Sequence, residues 1–414
     1  MEDDFFSHNG VAISVVLPCY NESESVGLCV DEAYAGIHAA RLGGEVIVID
    51  NNSTDNSIEV ALSHRARVIS EPQPGYGSAL RAGIDFAQGS IVVMADADLT
   101  YELSGLLKLV EPILDETADL VIGKRILDSR RSMPFLHRYI GTPVLTKLVK
   151  LATEGIELSD SQSGFRAFRK DKISELGLSS TGMEFASEML IKAARKQFRI
   201  LEVDTFYRAR VGESKLDTFS DGLRHLREII LLAPSRLVII PSVLLFAVGL
   251  VVGLLSFVFP TGLRIGSLLW QPVFFSGIAM IVGLQMFLGG LFLSNRSEFA
   301  SSRWQGLQEK GWFKYVLALG IAAIVAGTAI DGSLFLIWVT HSKRLSIQSP
   351  LASFAQVFLV DGVSLAGFGV LVPCFERPPS KALPFPEFIS GPESGRDEDA
   401  PPHFDAGNDL SANK

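Results

Sequence analysis

Four long apolar stretches follow one another between residues 237 and 375 of this 414-residue chain: Leu237–Phe259, Pro272–Ser294, Phe313–Val339 and Ala352–Phe375. Each is long enough to cross a hydrocarbon core of about 30 Å. A single stretch of this kind fits a buried core helix equally well, but four in series predict a four-helix transmembrane domain over residues 237–375. Between the second and third stretches lie Arg296, Arg303, Lys310 and Lys314, whereas the segment between the first and second holds only Arg264. Lys343 and Arg344 run against that trend. An excess of Lys and Arg marks the cytosolic side, so both termini are expected there. Residues 1–10 form a short acidic tail without the basic stretch and apolar run of a signal peptide. An N-terminal domain is therefore expected to stay in the cytosol.

The overall hydrophobic content of 48% averages two unlike parts, because residues 11–235 read as ordinary globular protein. A net charge of −9 without a basic stripe gives no support for nucleic-acid binding. Cys19, Cys29 and Cys374 are too few and too scattered for a disulfide framework or a thiolate metal site. They are expected as reduced core or near-membrane residues. Residues 376–414, rich in Pro, Ser and acids, are expected to be disordered.

Short apolar runs alternate with helical patterns through residues 11–235. Val11–Pro18, Glu45–Asp50, Val68–Ser70 and Ile91–Ala95 read as strands; Ser23–Ala40, Ser57–Ser63 and Gly77–Gln88 read as helices. This alternation predicts βαβ units and a largely parallel sheet, and strands that are apolar throughout predict a sheet covered on both faces. Ligands of such sheets bind at the carboxyl ends of the strands. Polar residues gather at those ends: Tyr20-Asn21-Glu22, Asp50-Asn51-Asn52-Ser53 and Asp96-Ala97-Asp98. Residues 219–236 carry an amphipathic pattern with Phe219, Leu223, Leu226, Ile229 and Ile230 on one stripe. It fits an interfacial juxtamembrane helix or a helix packed on the domain core.

Two carboxylates two residues apart at a strand end offer oxygen ligands to one hard cation, which can neutralise a departing diphosphate. Such a pair alone is a weak signal, and its place at a strand end strengthens it. Asp50 offers an acceptor for a base or ribose, and the residues after it also suit a helix N-cap, with Ser53 or Asp55 capping. Gly75-Tyr76-Gly77 suits a tight turn around a phosphate or an ordinary loop.

In order along the chain, VVLPCYNESES, VIVIDNNSTDNS, GYGSALRAG, MADADLTYE, DLVIGKR, DSQSGFRAFRK and RVGESKL resemble the motifs of family 2 glycosyltransferases, and more closely of dolichyl- and polyprenyl-phosphate hexose synthases. The resemblance covers roughly residues 11–235. It implies an α/β, Rossmann-like nucleotide-diphosphosugar transferase (GT-A) domain over residues 11–218, followed by four transmembrane α-helices. It further implies a hexosyltransferase that uses Mg²⁺ or Mn²⁺, a nucleotide-diphosphate sugar donor and a polyprenyl or dolichyl phosphate acceptor at the bilayer. By the matching positions, Pro18, Tyr20, Glu22, Asp50 and Ala97 contact the nucleotide sugar, and Asp96 and Asp98 hold the metal and diphosphate. Arg125 faces the donor phosphates. Ser163, Arg166, Arg208, Arg210 and Lys215 lie near the acceptor phosphate; Asp98, Arg125, Arg210 and Lys215 are the catalytic set.

Two positions depart from the family pattern. Thr100 stands where a glutamine often follows the second metal acid, so water or its hydroxyl would have to fill that ligand position. Ser159 stands where an arginine sometimes precedes the SGF serine, which shifts acceptor binding toward Arg210, Arg166 or Lys215. No general base stands out, and none is needed, since a phosphate monoester with a second pKa of about 6 is largely ionised at neutral pH. Single displacement would invert the anomeric carbon. Asp331 and Asp361, within the third and fourth apolar stretches, are expected at similar depth, facing each other or a polar cavity.

Two other readings compete. A processive polysaccharide synthase shares this fold, but its Gln-x-x-Arg-Trp motif is broken here, with Ala300 before Arg303-Trp304 and the segment after the second span. A non-catalytic membrane protein with a nucleotide-sugar-binding domain is the second.

Overall fold

A computed structural model of the chain describes residues 11–126, 139, 141–153, 156–211, 218–259, 262–265, 268–296, 311–340 and 350–375. Both expected tails and Lys215 lie outside the described residues.

Strand β1 (Ile13–Cys19) sends Ile13, Val15, Leu17 and Cys19 into one hydrophobic cluster and Val16 into another. Both faces are covered, as an unbroken apolar strand requires. β1 pairs in parallel with β2 (Gly44–Asp50) and with β4 (Ile91–Met94), and β3 (Arg67–Ser70) extends the sheet beyond β2. Pairing with β4 ends at Val16, so Pro18 lies where only β2 still flanks β1. A residue without an N–H fits at that open border. The connecting helices are α1 (Val26–Ala39), α2 (Ser57–Ser63) and α3 (Tyr76–Phe86), within a few residues of the expected bounds.

The second half of the sheet comprises β5 (Leu120–Arg125), β6 (Arg166–Arg169) and β7 (Ile200–Thr205), giving the order β3-β2-β1-β4-β6-β5-β7. β6 runs antiparallel to β4 and β5, so the sheet is largely but not wholly parallel. A 3-10 turn (Leu103–Gly105) and α4 (Leu107–Leu114) follow β4. Helices α1 and α4 cover one face; α3, α5 (Thr142–Ala152), α6 (Lys170–Ser174) and α7 (Phe185–Arg195) cover the other.

The amphipathic segment forms α8 (Thr218–Leu232). Ile229, Leu232 and Ala233 complete the cluster under α7, and Arg195 Nη2 donates to the Leu232 carbonyl. The stripe is only partly inward, since Leu223 at its other end is 51% exposed. Packing on the core therefore holds from His225, whose Nδ1 lies 3.2 Å from Ser187 Oγ, to the last turn of this helix.

A π-helical turn (Ser235–Ile239) leads into α9 (Ile240–Val258), followed by a two-stranded hairpin, β8 (Leu263–Ile265) and β9 (Leu268–Trp270). Then come α10 (Pro272–Arg296), α11 (Phe313–Thr340) and α12 (Pro350–Phe375). Among the described residues, four helices are long and apolar enough to cross a membrane: Ser235–Val258, Pro272–Ser294, Phe313–Thr340 and Pro350–Leu371. Glycines let α11 and α12 approach closely: Gly327 lies against Ala355 and Leu359, Gly320 against Gly362 and Ala366, and Gly369 against Leu317. Small residues are the usual means of helix approach in hydrocarbon.

That glycine register corrects the expected pairing of the two membrane acids. Gly362, beside Asp361, faces Ile324, while Asp331 lies beyond Gly327 toward the start of α12. The two carboxyl groups are thus offset by about seven residues, roughly 10 Å at 1.5 Å per residue. The sequence alone does not show this offset, because the glycine contacts set the register. Asp361 is only 5% exposed, and its Oδ1 has no hydrogen-bond partner among the described residues.

Candidate active site

The expected site residues converge at the carboxyl ends of β1, β2 and β4, where two loops are stitched together. Asn21 has φ 53° and donates its N–H to Ser53 Oγ at 3.0 Å, while its Oδ1 accepts the Thr54 N–H at 2.7 Å. Glu22 N–H donates to Ser57 Oγ at 2.8 Å and Ser23 N–H to Asp55 Oδ2 at 3.1 Å. Asp55 Oδ1 also accepts the Ser57 N–H at 3.0 Å, so Asp55 rather than Ser53 satisfies the start of α2. The short polar side chains in these loops replace backbone partners that strands and helices would otherwise supply. Tyr20 is left 47% exposed at the rim. Asp50 is buried, and its Oδ1 accepts the Ser53 N–H at 3.1 Å.

The acid loop after β4 is fixed by its own residues. Ala95 N–H donates to Val16 O at 3.2 Å, and Ser25 Oγ donates to Ala97 O at 2.7 Å, tying the loop to the start of α1. Leu99 then adopts φ 62°, uncommon outside glycine, which turns Thr100 back toward Asp98. Thr100 donates its N–H and its hydroxyl to Asp98 Oδ1 at 3.1 and 2.6 Å. The hydroxyl at the glutamine position is therefore spent on orienting the second acid.

The chain after β7 returns antiparallel along this loop. Tyr101 and Tyr207 form an isolated bridge, Arg208 N–H donates to Thr100 O at 2.7 Å, and Val211 N–H donates to Asp98 O at 3.2 Å. That pairing sets Arg210 over the acids. Its Nη2 donates to Glu22 Oε1 at 2.5 Å, and its Nε lies 3.6 Å from Asp98 Oδ2, beyond hydrogen-bond range. Arg208 points elsewhere, to Glu32 at 2.6 Å and Glu102 at 3.5 Å.

Asp96 accepts the Tyr76 phenol at 2.8 Å on Oδ1, a contact that sequence reasoning missed although GYG was noted as a motif. Burial, and next the charge of Asp98, push the Asp96 carboxyl above the usual carboxylate range; Tyr76 and Arg210 act against them. The Gly75-Tyr76-Gly77 turn is not open to a phosphate, because the N–H groups of Gly77 and Ser78 donate to Thr181 O at 2.8 and 3.1 Å. Of its two expected uses, only the loop remains.

The other basic residues lie deeper. Arg125 presents Nε and Nη2 to Asp160 at 2.6 and 2.7 Å and stands 5.2 Å over the Tyr207 ring. Ser163 is fully buried, donating to Gly123 O at 2.6 Å. Arg166 is 0% exposed and donates to the carbonyls of Ser163, Ser161 and Ala186 at 2.8–2.9 Å, inside the core under α7. Both side chains are therefore spent on the protein's own backbone, and nothing in DSQSGFRAFRK distinguishes a buried strut from a surface contact. Among the described residues no group of three or more His, Cys, Asp or Glu side chains gathers at one point. The site holds a pair of acids flanked by Glu22 and Arg210.

The pattern of Glycosyl transferase family 2 matches residues 14–177. The low-salt glycan biosynthesis hexosyltransferase of Haloferax volcanii is 33% identical over 340 residues, covering 79% of this chain and 80% of that protein. The dolichyl-phosphate hexose transferase of the same organism is 32% identical over 51% of this chain and 89% of its own. The dolichol-phosphate mannosyltransferase of Pyrococcus furiosus is 32% identical over 52% and 62%. A crystal structure of glucosyl-3-phosphoglycerate synthase from Mycobacterium tuberculosis with Mn²⁺ and uridine-diphosphate overlaps 56% of this chain and 83% of its own, at 24% identity and a TM-score of 0.44. The long match to the first hexosyltransferase, together with a GT-A-like sheet carrying its acid pair at a strand end, leads to one conclusion: this chain belongs to glycosyl transferase family 2 and is a glycosyltransferase.

Proposed function

We propose that this enzyme transfers a hexose, with inversion, from a nucleotide-diphosphate sugar to a polyprenyl or dolichyl phosphate at the cytosolic face of a membrane. The observation that carries the reading is the grouping of Asp96, Asp98, Glu22 and Arg210 at the strand ends, one helix away from four membrane-length helices. The names of the two dolichyl- and dolichol-phosphate relatives support the acceptor class.

The acid pair suits Mg²⁺ or Mn²⁺, which takes one or two carboxylates and completes its shell with water and substrate phosphates. Asp96 Oδ1 is held by Tyr76 and Asp98 Oδ1 by Thr100, so each carboxylate has a second oxygen to offer. When bound, the cation supplies charge neutralisation for the departing nucleoside diphosphate. Asp50 and the exposed Tyr20 ring border the nucleotide, with Pro18 and Ala97 shaping the backbone around it. Arg210 shields the like charges of donor and acceptor phosphates, exchanging Glu22 for a phosphate oxygen, and Lys215 follows on the same segment. Arg125, already forked onto Asp160, faces the donor phosphates from the end of β5. Arg166 and Ser163 brace the backbone there, and Arg208 anchors the return segment to α1. The acceptor phosphate attacks as an oxyanion once oriented, so no side chain has to remove a proton.

Full-length protein in detergent, given Mg²⁺ or Mn²⁺, a panel of nucleotide sugars and a polyprenyl phosphate, should yield a lipid-phosphate hexose detectable by mass spectrometry. Asp98→Asn should abolish that product while leaving the melting curve in place. Transfer into a water-soluble polymer would instead favour a processive synthase, and turnover retained in Asp98→Asn would overturn the metal assignment.

A further inference from the structure

Nothing in the proposed transfer demands a tyrosine at the start of α3, yet the backbone on every side is arranged around the Tyr76 phenol. Gly75 adopts φ 130°, and a Cβ there would meet Thr181 O at 2.2 Å. Thr181 O accepts the N–H groups of Gly77 and Ser78, and Asn51 Oδ1 accepts the Gly75 N–H at 2.7 Å. Tyr76 is thus gripped between the β2 loop and the segment leading into α7. That segment is itself fastened, because buried Glu188 accepts the N–H groups of Ser179 and Ser180 at 2.9 and 2.8 Å. Beside the Tyr76–Asp96 hydrogen bond, a Cβ on Gly164 would lie 3.0 Å from both Asp96 oxygens and from the Tyr76 oxygen. The missing side chain of Gly164 therefore leaves the room in which the carboxylate and the phenol meet.

We infer that Tyr76 is the positioning residue for Asp96. Its O–H holds Oδ1 at 2.8 Å and thereby aims Oδ2 at the cation and diphosphate. This rests on the function proposed above. A carboxylate that ligates metal through one oxygen needs a partner on the other to fix its plane, and loss of such partners typically lowers metal affinity or activity by about 10–100-fold. Phenylalanine would fill the same space without supplying that bond.

The test is Tyr76→Phe in the full-length protein, with Mn²⁺ binding followed by electron paramagnetic resonance in the presence of GDP and, separately, UDP. Thermal melting is recorded on the same samples, and Tyr101→Phe serves as comparator. Tyr101 accepts the Gly164 N–H at 2.8 Å and makes no hydrogen bond to either acid. The expected result is an Mn²⁺ dissociation constant raised about 10-fold or more in Tyr76→Phe, with an unchanged melting curve and a smaller effect in Tyr101→Phe. Unchanged Mn²⁺ affinity in Tyr76→Phe, or an equal loss in both variants, overturns the positioning role while leaving the proposed function standing. Absence of Mn²⁺ binding to the wild-type protein with either nucleotide would remove the metal reading and this inference together.

Discussion

Thr100 gives its N–H and its hydroxyl to the same oxygen of Asp98, and Leu99 takes φ 62° to make that reach. Replacing Thr100 with valine keeps the volume and removes the 2.6 Å bond. Transfer should then fall about 10–100-fold with little change in melting temperature, as initial rates and thermal scans would show. Thr100 looked like a missing ligand in the sequence because a motif records which residue type is present but not which neighbour uses it. The two core thiols allow a second check. Burial pushes Cys19 up to about 11 and Cys29 up to about 12, with the nearby carboxylates adding to the effect. A thiol reacts as its thiolate, so neither should be labelled by iodoacetamide at pH 8 in a Cys374→Ser background. Denaturant should release both.

At the scale of elements, the first four strands of the large sheet were legible and its last three were not. β1, β2 and β4 are apolar on both faces, so their periodicity announces burial. β5, β6 and β7 carry Lys124, Arg125, Arg166, Arg169, Glu202 and Asp204, and their pairing depends on tertiary partners that no local pattern encodes. The same blindness hid the latch on α7. Lys192 Nζ lies 2.8 Å from Glu188 Oε1, both side chains almost wholly buried. Burial alone would raise the Glu188 carboxyl, but Lys192 and the N–H groups of Ser180 and Ser179 outweigh it and hold it below the usual range. A depressed folded-state pKa means stability that is present above the unfolded pKa and drains away as pH falls through the folded one. Glu188→Ala would strand Lys192 without its counter-charge and should cost about 3–5 kcal/mol. Chemical denaturation of the full chain measures it, and the acid side of the wild-type stability curve should flatten in the variant.

Across the whole molecule, the membrane-length helices were plain from hydropathy, whereas their mutual register was not. Hydropathy gives the length of a span; Gly320, Gly327, Gly362 and Gly369 decide how two spans mesh. Orientation remains a matter of loop charge. Green fluorescent protein fused to either terminus should fluoresce, and alkaline phosphatase at the same positions should stay silent. Active phosphatase at either end would reverse the assignment of the cytosolic face.

The last turn of α8 carries a practical and mechanical consequence. Ile229, Leu232 and Ala233 belong to the catalytic core, and the next helical turn already begins the first membrane-length helix. A soluble fragment ended at residue 218, the expected end of the catalytic domain, would open a hole in its own floor. The globular core is bolted to its membrane-length helices rather than hung from a leash. In a bilayer, tilting of α9 would reach packed side chains beneath α7 through a single helical turn.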